Sequence, residues 1–164
     1  MKLNECRGNG PLRQTTLALL FKNNQILLAM KKRGFGQGRW NGVGGKPKEG
    51  ETVEEAAKRE TSEEIGVEIV KFGEIARLSF YFANKPEWNQ EVIVYKVDEW
   101  AGEPTESEEM APKWFPFEEI PYESMWPDDK YWLPLVLEGK NVRASFVFGE
   151  NDVVEDMEVT EMLF

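Results

Sequence analysis

Two apolar runs near the start of the chain, Thr15–Phe21 and Ile26–Met30, predict strands, and Lys22-Asn23-Asn24-Gln25 predicts the turn that joins them. The pattern breaks at a Gly-rich loop from Gly34 to Gly50. Beyond it, Val53, Ala57, Thr61 and Ile65 recur at four-residue spacing, as on the inner stripe of a helix. That helix should start near Thr52, whose hydroxyl can cap it, and end at Gly66. Val67–Phe82 and Val92–Val97 read as strands around a turn at Asn84–Asn89. Gly102–Ala111 is acidic and loop-like, and Lys113–Phe117 is a short strand or its edge. Tyr131–Leu137 predicts a second helix with Pro134 in its first turn. Val142–Phe148 and Val153–Val159 predict a closing hairpin around Gly149-Glu150-Asn151-Asp152.

Strands and helices follow one another without a regular βαβ alternation. The expected class is therefore a mixed α+β fold, a mixed sheet between helices rather than a doubly wound parallel one. Residues 1–12 are polar and Gly-rich and predict a flexible arm; residues 13–164 form a single domain on this reading.

Composition narrows the chemistry. The 164 residues are 41% hydrophobic and 12% aromatic, enough for a sizeable core. Cys6 is the only cysteine and there is no histidine, which excludes an intramolecular disulfide, Cys- or His-based metal sites and a His general base. Acid–base or metal chemistry must run on carboxylates, Lys, Tyr or water. The net charge of -10 argues against a nucleic-acid polymer as partner, which needs a basic face, and an anionic substrate would need an intervening cation. The first eleven residues lack a signal peptide's apolar core, and no run is long enough to span a membrane. These features lead to the expectation of a cytoplasmic monomer with no membrane partner.

The helix after the Gly-rich loop carries the informative motif. Glu60, Glu63 and Glu64 are spaced three and four apart, so a helix places them on one side. Stacked like charges destabilise a helix unless something compensates, and a hard divalent cation with oxygen ligands does so. Such a cation also polarises phosphoryl oxygens and lowers the pKa of an attacking water. Taken pair by pair, glutamates on a helix are more often a solvated face. Here Gly45, five residues, Glu51, seven residues, Arg59-Glu60, then Glu63-Glu64 and Gly66 resembles the Nudix box, seven fixed positions over a 23-residue span. Thr61 departs from it, standing where the family usually has an aliphatic residue.

The resemblance implies that Glu60, Glu63 and Glu64 bind Mg2+, with Mn2+ as an alternative, and that one of them assists proton removal. It implies that Arg59 pairs with a box carboxylate, Glu51 first, and that Gly45 lines the metal and phosphate region. The likeness extends outside the box. Met30-Lys31-Lys32-Arg33-Gly34-Phe35-Gly36, Gly38-Arg39-Trp40-Asn41-Gly42, Glu109-Met110, Trp114-Phe115 and Met125-Trp126-Pro127-Asp128-Asp129 with Tyr131-Trp132 are similar to the Nudix subgroup that hydrolyses oxidised purine nucleoside triphosphates.

The residues themselves suit a purine. Trp126 offers a stacking face worth ~1–3 kcal/mol per base, and Phe35 a second wall. Asn41 carries a donor and an acceptor that can read a base edge. Of two adjacent carboxylates, Asp128 and Asp129, an apolar wall can push one toward the neutral form, giving a donor beside an acceptor. Oxidation at guanine C8 turns N7 from acceptor to donor, so a carboxylate acceptor there would favour the damaged base. By resemblance Thr16, Lys31 and Trp132 complete the pocket and Glu109 adds a carboxylate to the metal site.

Each of these has a blander reading when taken alone. Trp-Pro-Asp-Asp is an ordinary helix entry, Trp126 and Trp132 are ordinary core aromatics, and Asn41-Gly42 is ordinary turn chemistry. Their joint order with a full box favours the functional reading. A longer turn at Lys85–Gln90, and Val43 where the subgroup has an aromatic, bear on the pocket rim. The implied reaction gives a nucleoside monophosphate and pyrophosphate. The alternatives are a Nudix hydrolase of another nucleotide diphosphate derivative and a catalytically silent nucleotide-binding module.

Overall fold

Alternating side chains of the first two strands feed two separate cores, and this sets the layers. The computed structural model describes residues 1–8 and 10–162; residues 9, 163 and 164, within the expected arm and domain, lie outside the described residues. In it β1 spans Arg13–Lys22 and β2 spans Gln25–Lys31. Leu17, Leu19, Ile26 and Leu28 pack on one side of the sheet, and Ala18, Leu20, Leu27 and Ala29 on the other. A strand apolar at every position is one covered on both faces. Of the helices α1 (Leu3–Cys6), α2 (Val53–Ile65) and α3 (Asp129–Leu137), the last two supply those covers. Ile65 of α2 joins the Ala18–Leu20 side, and Trp132, Leu133 and Val136 of α3 join the Leu17–Leu19 side.

The other strands are β3 (Trp40–Asn41), β4 (Glu68–Phe82), β5 (Gln90–Ala101), β6 (Met110–Pro116), β7 (Asn141–Phe148) and β8 (Val154–Met162). They complete a sheet in the order β3-β2-β1-β5-β4-β7-β8, with β6 also paired to β2. The β1–β5 and β4–β7 pairs are parallel and the rest antiparallel, the mixed sheet expected from the element order. Asn23 and Asn24 make the β1–β2 turn with φ of 51° and 60°, conformations Asn tolerates better than most residues.

β1 and β2 pair only at their shared end, Leu20–Lys22 with Gln25–Leu27, and then diverge. The Gly-rich loop fills the fork. Trp40 and Asn41 pair with Met30 and Ala29 of β2, while the Ala18 amide donates to Val43 O at 2.6 Å and the Thr16 amide to Gly45 O at 2.9 Å. This wedge dictates glycine at position 44, where a Cβ would lie 1.8 Å from the Thr16 carbonyl oxygen.

The loop leads into α2 through a complete capping box. The Glu55 amide donates to Thr52 Oγ1 at 3.1 Å, and the Thr52 amide donates to Glu55 Oε1 at 3.0 Å. Gly66 closes the helix in the left-handed region at φ 70°, and the Thr105 amide reaches Ile65 O at 2.8 Å. The buried face is Ala56, Ala57, Thr61, Glu64 and Ile65; Val53 is only half-buried. A strict four-residue stripe drifts around a helix of 3.6 residues per turn, so Val53 and Ile65 cannot share one line. Thr61, fully buried, satisfies its hydroxyl by donating to Ala57 O at 2.7 Å.

Two expectations need correction. Within the expected loose arm, Leu3 to Arg7 are docked. Leu3 and Cys6 are buried against Tyr81 and Val147, the Leu3 amide donates to Asp156 at 2.9 Å, and Arg7 pairs with Glu158 at 3.2 Å. Helix α3 starts at Asp129, so Pro134 lies inside it and not in its first turn. A helix can carry an interior proline where packing outweighs the missing amide, and Trp132, Leu133 and Val136 around it are all core residues. Among the described residues no helix is long and apolar enough to cross a membrane.

Candidate active site

Arg59 organises the carboxylates of α2 and the loop before it. Its Nε and Nη2 donate to Glu51 at 2.8 and 2.9 Å, a bidentate pair. Nη1 donates to Glu60 at 2.8 Å and Glu63 at 3.1 Å, and Nη2 also reaches Lys46 O at 3.0 Å. The guanidinium holds the Glu51 carboxyl down at about 2, helped by the Lys48 amide.

On the inner side of the helix, Glu64 is buried, and its Oε2 has no hydrogen-bond partner. Burial first, then the hydrogen bond and charge of Glu60, push the Glu64 carboxyl up to about 8. Two carboxylates facing each other in a desolvated corner hold a proton when nothing else neutralises them. Gly45 lies against this pair: a Cβ there would stand 2.7 Å from the Glu60 carboxyl carbon. The donor set is all oxygen, negatively charged and incompletely satisfied, and it fits a hard divalent cation. Glu63 is half-exposed and turned to Arg59, and Glu109 is turned to Arg33 at 3.5 Å. Among the described residues no three acidic groups therefore converge as a ready-made cage. Glu60 and Glu64 form the converging pair, whereas Glu109 is not brought to them.

Beside this corner opens a cavity of about 460 Å3. Thr16, Lys31, Phe35, Asn41, Trp126, Asp128, Asp129 and Trp132, drawn from β1, β2, the Gly-rich loop and the entry to α3, all line it together with Gly44 and Gly45. Asn41 spends its side-chain oxygen on the Gly42 amide at 2.8 Å, which leaves its NH2 group for a ligand. Thr16 Oγ1 lies 3.3 Å from Gly45 O and braces the loop. Of the successive cations Lys31, Lys32 and Arg33, only Lys31 lines the cavity; Lys32 pairs with Glu106, and Arg33 lies 3.6 Å from Glu108.

Asp128 and Asp129 are both buried at the cavity wall. Trp132, itself 1% exposed, donates from Nε1 to Asp128 Oδ2 at 2.8 Å. Burial raises the Asp128 carboxyl to about 6, against the pull of that indole donor. Burial and the neighbouring Asp128 charge raise Asp129 further, and its Oδ2 has no partner. Asp129 therefore holds a proton more firmly than Asp128, so Asp128 is the readier acceptor of the pair and Asp129 the readier donor. Trp132 acts on the cavity through this hydrogen bond.

Among the lining residues that sequence reading missed are Phe80, Phe82, Trp88, Gln90 and Phe148. Leu78, Phe80 and Phe82 line the cavity at every second position of β4, a period that alternation along the strand could have revealed. Trp88 sits on a 3-10 turn, Pro86–Trp88, with its ring 5.0 Å from that of Phe35. Nothing local in the sequence ties that turn to the cavity.

Comparison with known proteins agrees with this geometry. The NUDIX domain family model matches residues 11–136. The chain is 45% identical over 90% of its length to mouse oxidized purine nucleoside triphosphate hydrolase, 94% of which is covered. It is 42% identical over the same share to the zebrafish protein of that name, again covering 94% of it. The fold matches the crystal structure of a MutT protein from Bacillus halodurans, with a TM-score of 0.79 and 24% identity over 90% of this chain and 97% of that one. Box, cavity and relatives agree: the chain belongs to the NUDIX domain family.

Proposed function

We propose that this chain hydrolyses oxidised purine nucleoside triphosphates, 8-oxo-dGTP and 2-oxo-dATP among them, to the nucleoside monophosphate and pyrophosphate. The observation that carries the reading is the Asp128–Asp129 pair, buried side by side in an aromatic cavity next to Glu60 and Glu64, with Asp129 holding its proton the more firmly. A purine oxidised at C8 offers an N–H donor and a new carbonyl. Ionised Asp128 accepts from a ring N–H, and protonated Asp129 donates to a carbonyl. The Asn41 NH2 group donates to a second edge of the base, and Trp126 and Phe35 supply stacking faces. An unpaired donor or acceptor in such a desolvated site costs ~1–3 kcal/mol, so an unmodified base that mismatches the pattern is disfavoured.

The triphosphate extends from the base toward Lys31, Lys46 and α2. Glu60 and Glu64, with Glu63, would hold Mg2+ or Mn2+ there, and the cation would supply charge neutralisation and phosphoryl polarisation. Glu64 would accept the proton of an attacking water once a cation offsets the Glu60 charge that helps hold its own proton. Arg59 fixes the helix against the Gly-rich loop. Residues 13–164 act as one domain and as a monomer. The chain works in the cytoplasm, where its small-molecule substrate lies, and sanitises the nucleotide pool.

The test is kcat/KM with Mg2+ for 8-oxo-dGTP, 2-oxo-dATP, dGTP and dATP, with monophosphate and pyrophosphate both detected. A preference for the oxidised bases is expected. Turnover without that preference would return the Asp pair to a structural role and favour another nucleotide as substrate. No turnover of any nucleotide would favour a silent binding module.

A further inference from the structure

Trp126 has a neighbour that does not reach the cavity. The guanidinium carbon of Arg39 stands 4.0 Å from the centroid of the indole ring, yet Arg39 is absent from the cavity lining to which Trp126 contributes. Arg39 covers one face of the ring, and the Phe35 ring, tilted 31° to the indole, has its centroid 5.1 Å away on the cavity lining. Arg39 is fixed in turn from outside. Its Nη2 donates to Asp152 Oδ2 at 3.0 Å, and both groups are largely shielded from solvent, at 26% and 33% side-chain exposure. Its main chain is tied down as well, its amide bonded to Gly36 O at 3.1 Å and its carbonyl to the Lys31 amide at 3.2 Å.

Asp152 lies in the turn between β7 and β8, where it and Asn151 both have φ of 57°, a left-handed conformation that Asn and Asp tolerate better than most residues.

We propose that Arg39, held by Asp152, is a positioning residue for base recognition: it fixes the plane of Trp126 from behind and makes its cavity face a better platform for a purine. Two π faces repel through their negative quadrupoles, and a cation behind one of them offsets part of that repulsion. The inference rests on the substrate reading above, with Trp126 as a base platform, and adds to it a brace that touches no substrate.

The test compares wild type with Arg39→Ala, Arg39→Lys and Asp152→Asn in the full chain, using 8-oxo-dGTP with Mg2+. Arg39→Ala should raise KM about tenfold, the scale of a desolvated cation–π contact, with kcat changed less than about threefold. Arg39→Lys should recover part of the loss, because it restores a cation but not a flat one. Asp152→Asn should fall between wild type and Arg39→Ala and gives the answer if Arg39→Ala fails to fold. A fall in kcat at unchanged KM would overturn the proposal. So would equal KM in wild type, Arg39→Ala and Asp152→Asn.

A second readout needs no substrate. The Trp126 contribution to near-ultraviolet circular dichroism, taken as wild type minus Trp126→Phe, should collapse in the Arg39→Ala background and survive in Arg39→Lys. An unchanged difference spectrum overturns the brace. Failure of wild type to prefer oxidised purines, with the spectral result as expected, would refute the substrate reading and leave the brace standing.

Discussion

Replacing Asp128 by Asn separates two effects of burying this side chain: it costs stability and it supplies an acceptor. Asp128 titrates near 6 in the folded protein against 3.8 for an unperturbed Asp, chiefly because burial penalises its charge. That gap of about two pH units corresponds to about 3 kcal/mol. The sign follows from proton binding. Below pH 3.8 the group is protonated in both states and its full contribution favours the fold. As pH rises through 6 the folded state must surrender the proton, and the contribution is lost. Asn has no proton to lose, and its side-chain oxygen can still accept from Trp132. Urea unfolding of both proteins at pH 4 and pH 7 isolates the effect, because the remaining carboxylates, Glu64 included, are common to both. Wild type should lose about 2–3 kcal/mol more than Asp128→Asn between the two pH values. Relief of Asp129 from a neighbouring negative charge moves the difference in the same direction. At pH 7 the variant should be the more stable protein and the poorer enzyme toward oxidised purines. Equal pH dependence of stability in the two proteins would refute the argument that burial sets the Asp128 titration.

Gly44→Ala should fold poorly or not at all, losing more than about 4 kcal/mol, because its Cβ would meet the backbone of β1; thermal unfolding reads this directly, and a wild-type Tm would show that the fork can widen. Thr52→Ala removes the α2 cap and should cost about 1 kcal/mol, or about 2–4 °C in Tm, with kcat unchanged. Glu64→Gln should lower kcat by roughly 10²–10⁴, and more than Glu63→Gln does, since Glu63 is half-exposed and paired with Arg59. Chelation of divalent cations should abolish wild-type turnover; persistence in EDTA would argue that the Glu60–Glu64 corner works without a metal.

The strands, the capped helix and the mixed sheet were legible because each is written locally, in apolar runs, the Thr52 cap and Gly66. The site was legible where spacing carried it, as with Arg59 and the three glutamates that follow it. It was less legible where partners come from distant segments. Glu109 sits in an acidic loop whose ion pairs with Lys32 and Arg33 depend on β6 lying beside β2, and no short-range pattern states that neighbour relation. The docking of Leu3 and Cys6 was hidden for the same reason: the Tyr81–Val147 surface they pack on exists only once β4 and β7 are adjacent. The extra aromatics Phe80 and Phe82 were visible as alternation, yet nothing marked which face of β4 looks onto the cavity.

The fork between β1 and β2 bears on how the site moves. Its Gly-rich segment is bonded into the sheet at Thr16 and Ala18, so the amides of Thr16, Ala18 and Val43 belong to the central ladder and not to a surface loop. Their hydrogen exchange should be governed by opening of the whole sheet, with protection close to that of the β1–β5 core, rather than by local fraying. Loops that carry chemistry are usually drawn from the least protected parts of a structure; here the segment nearest Glu60 and Glu64 should be among the slowest to exchange.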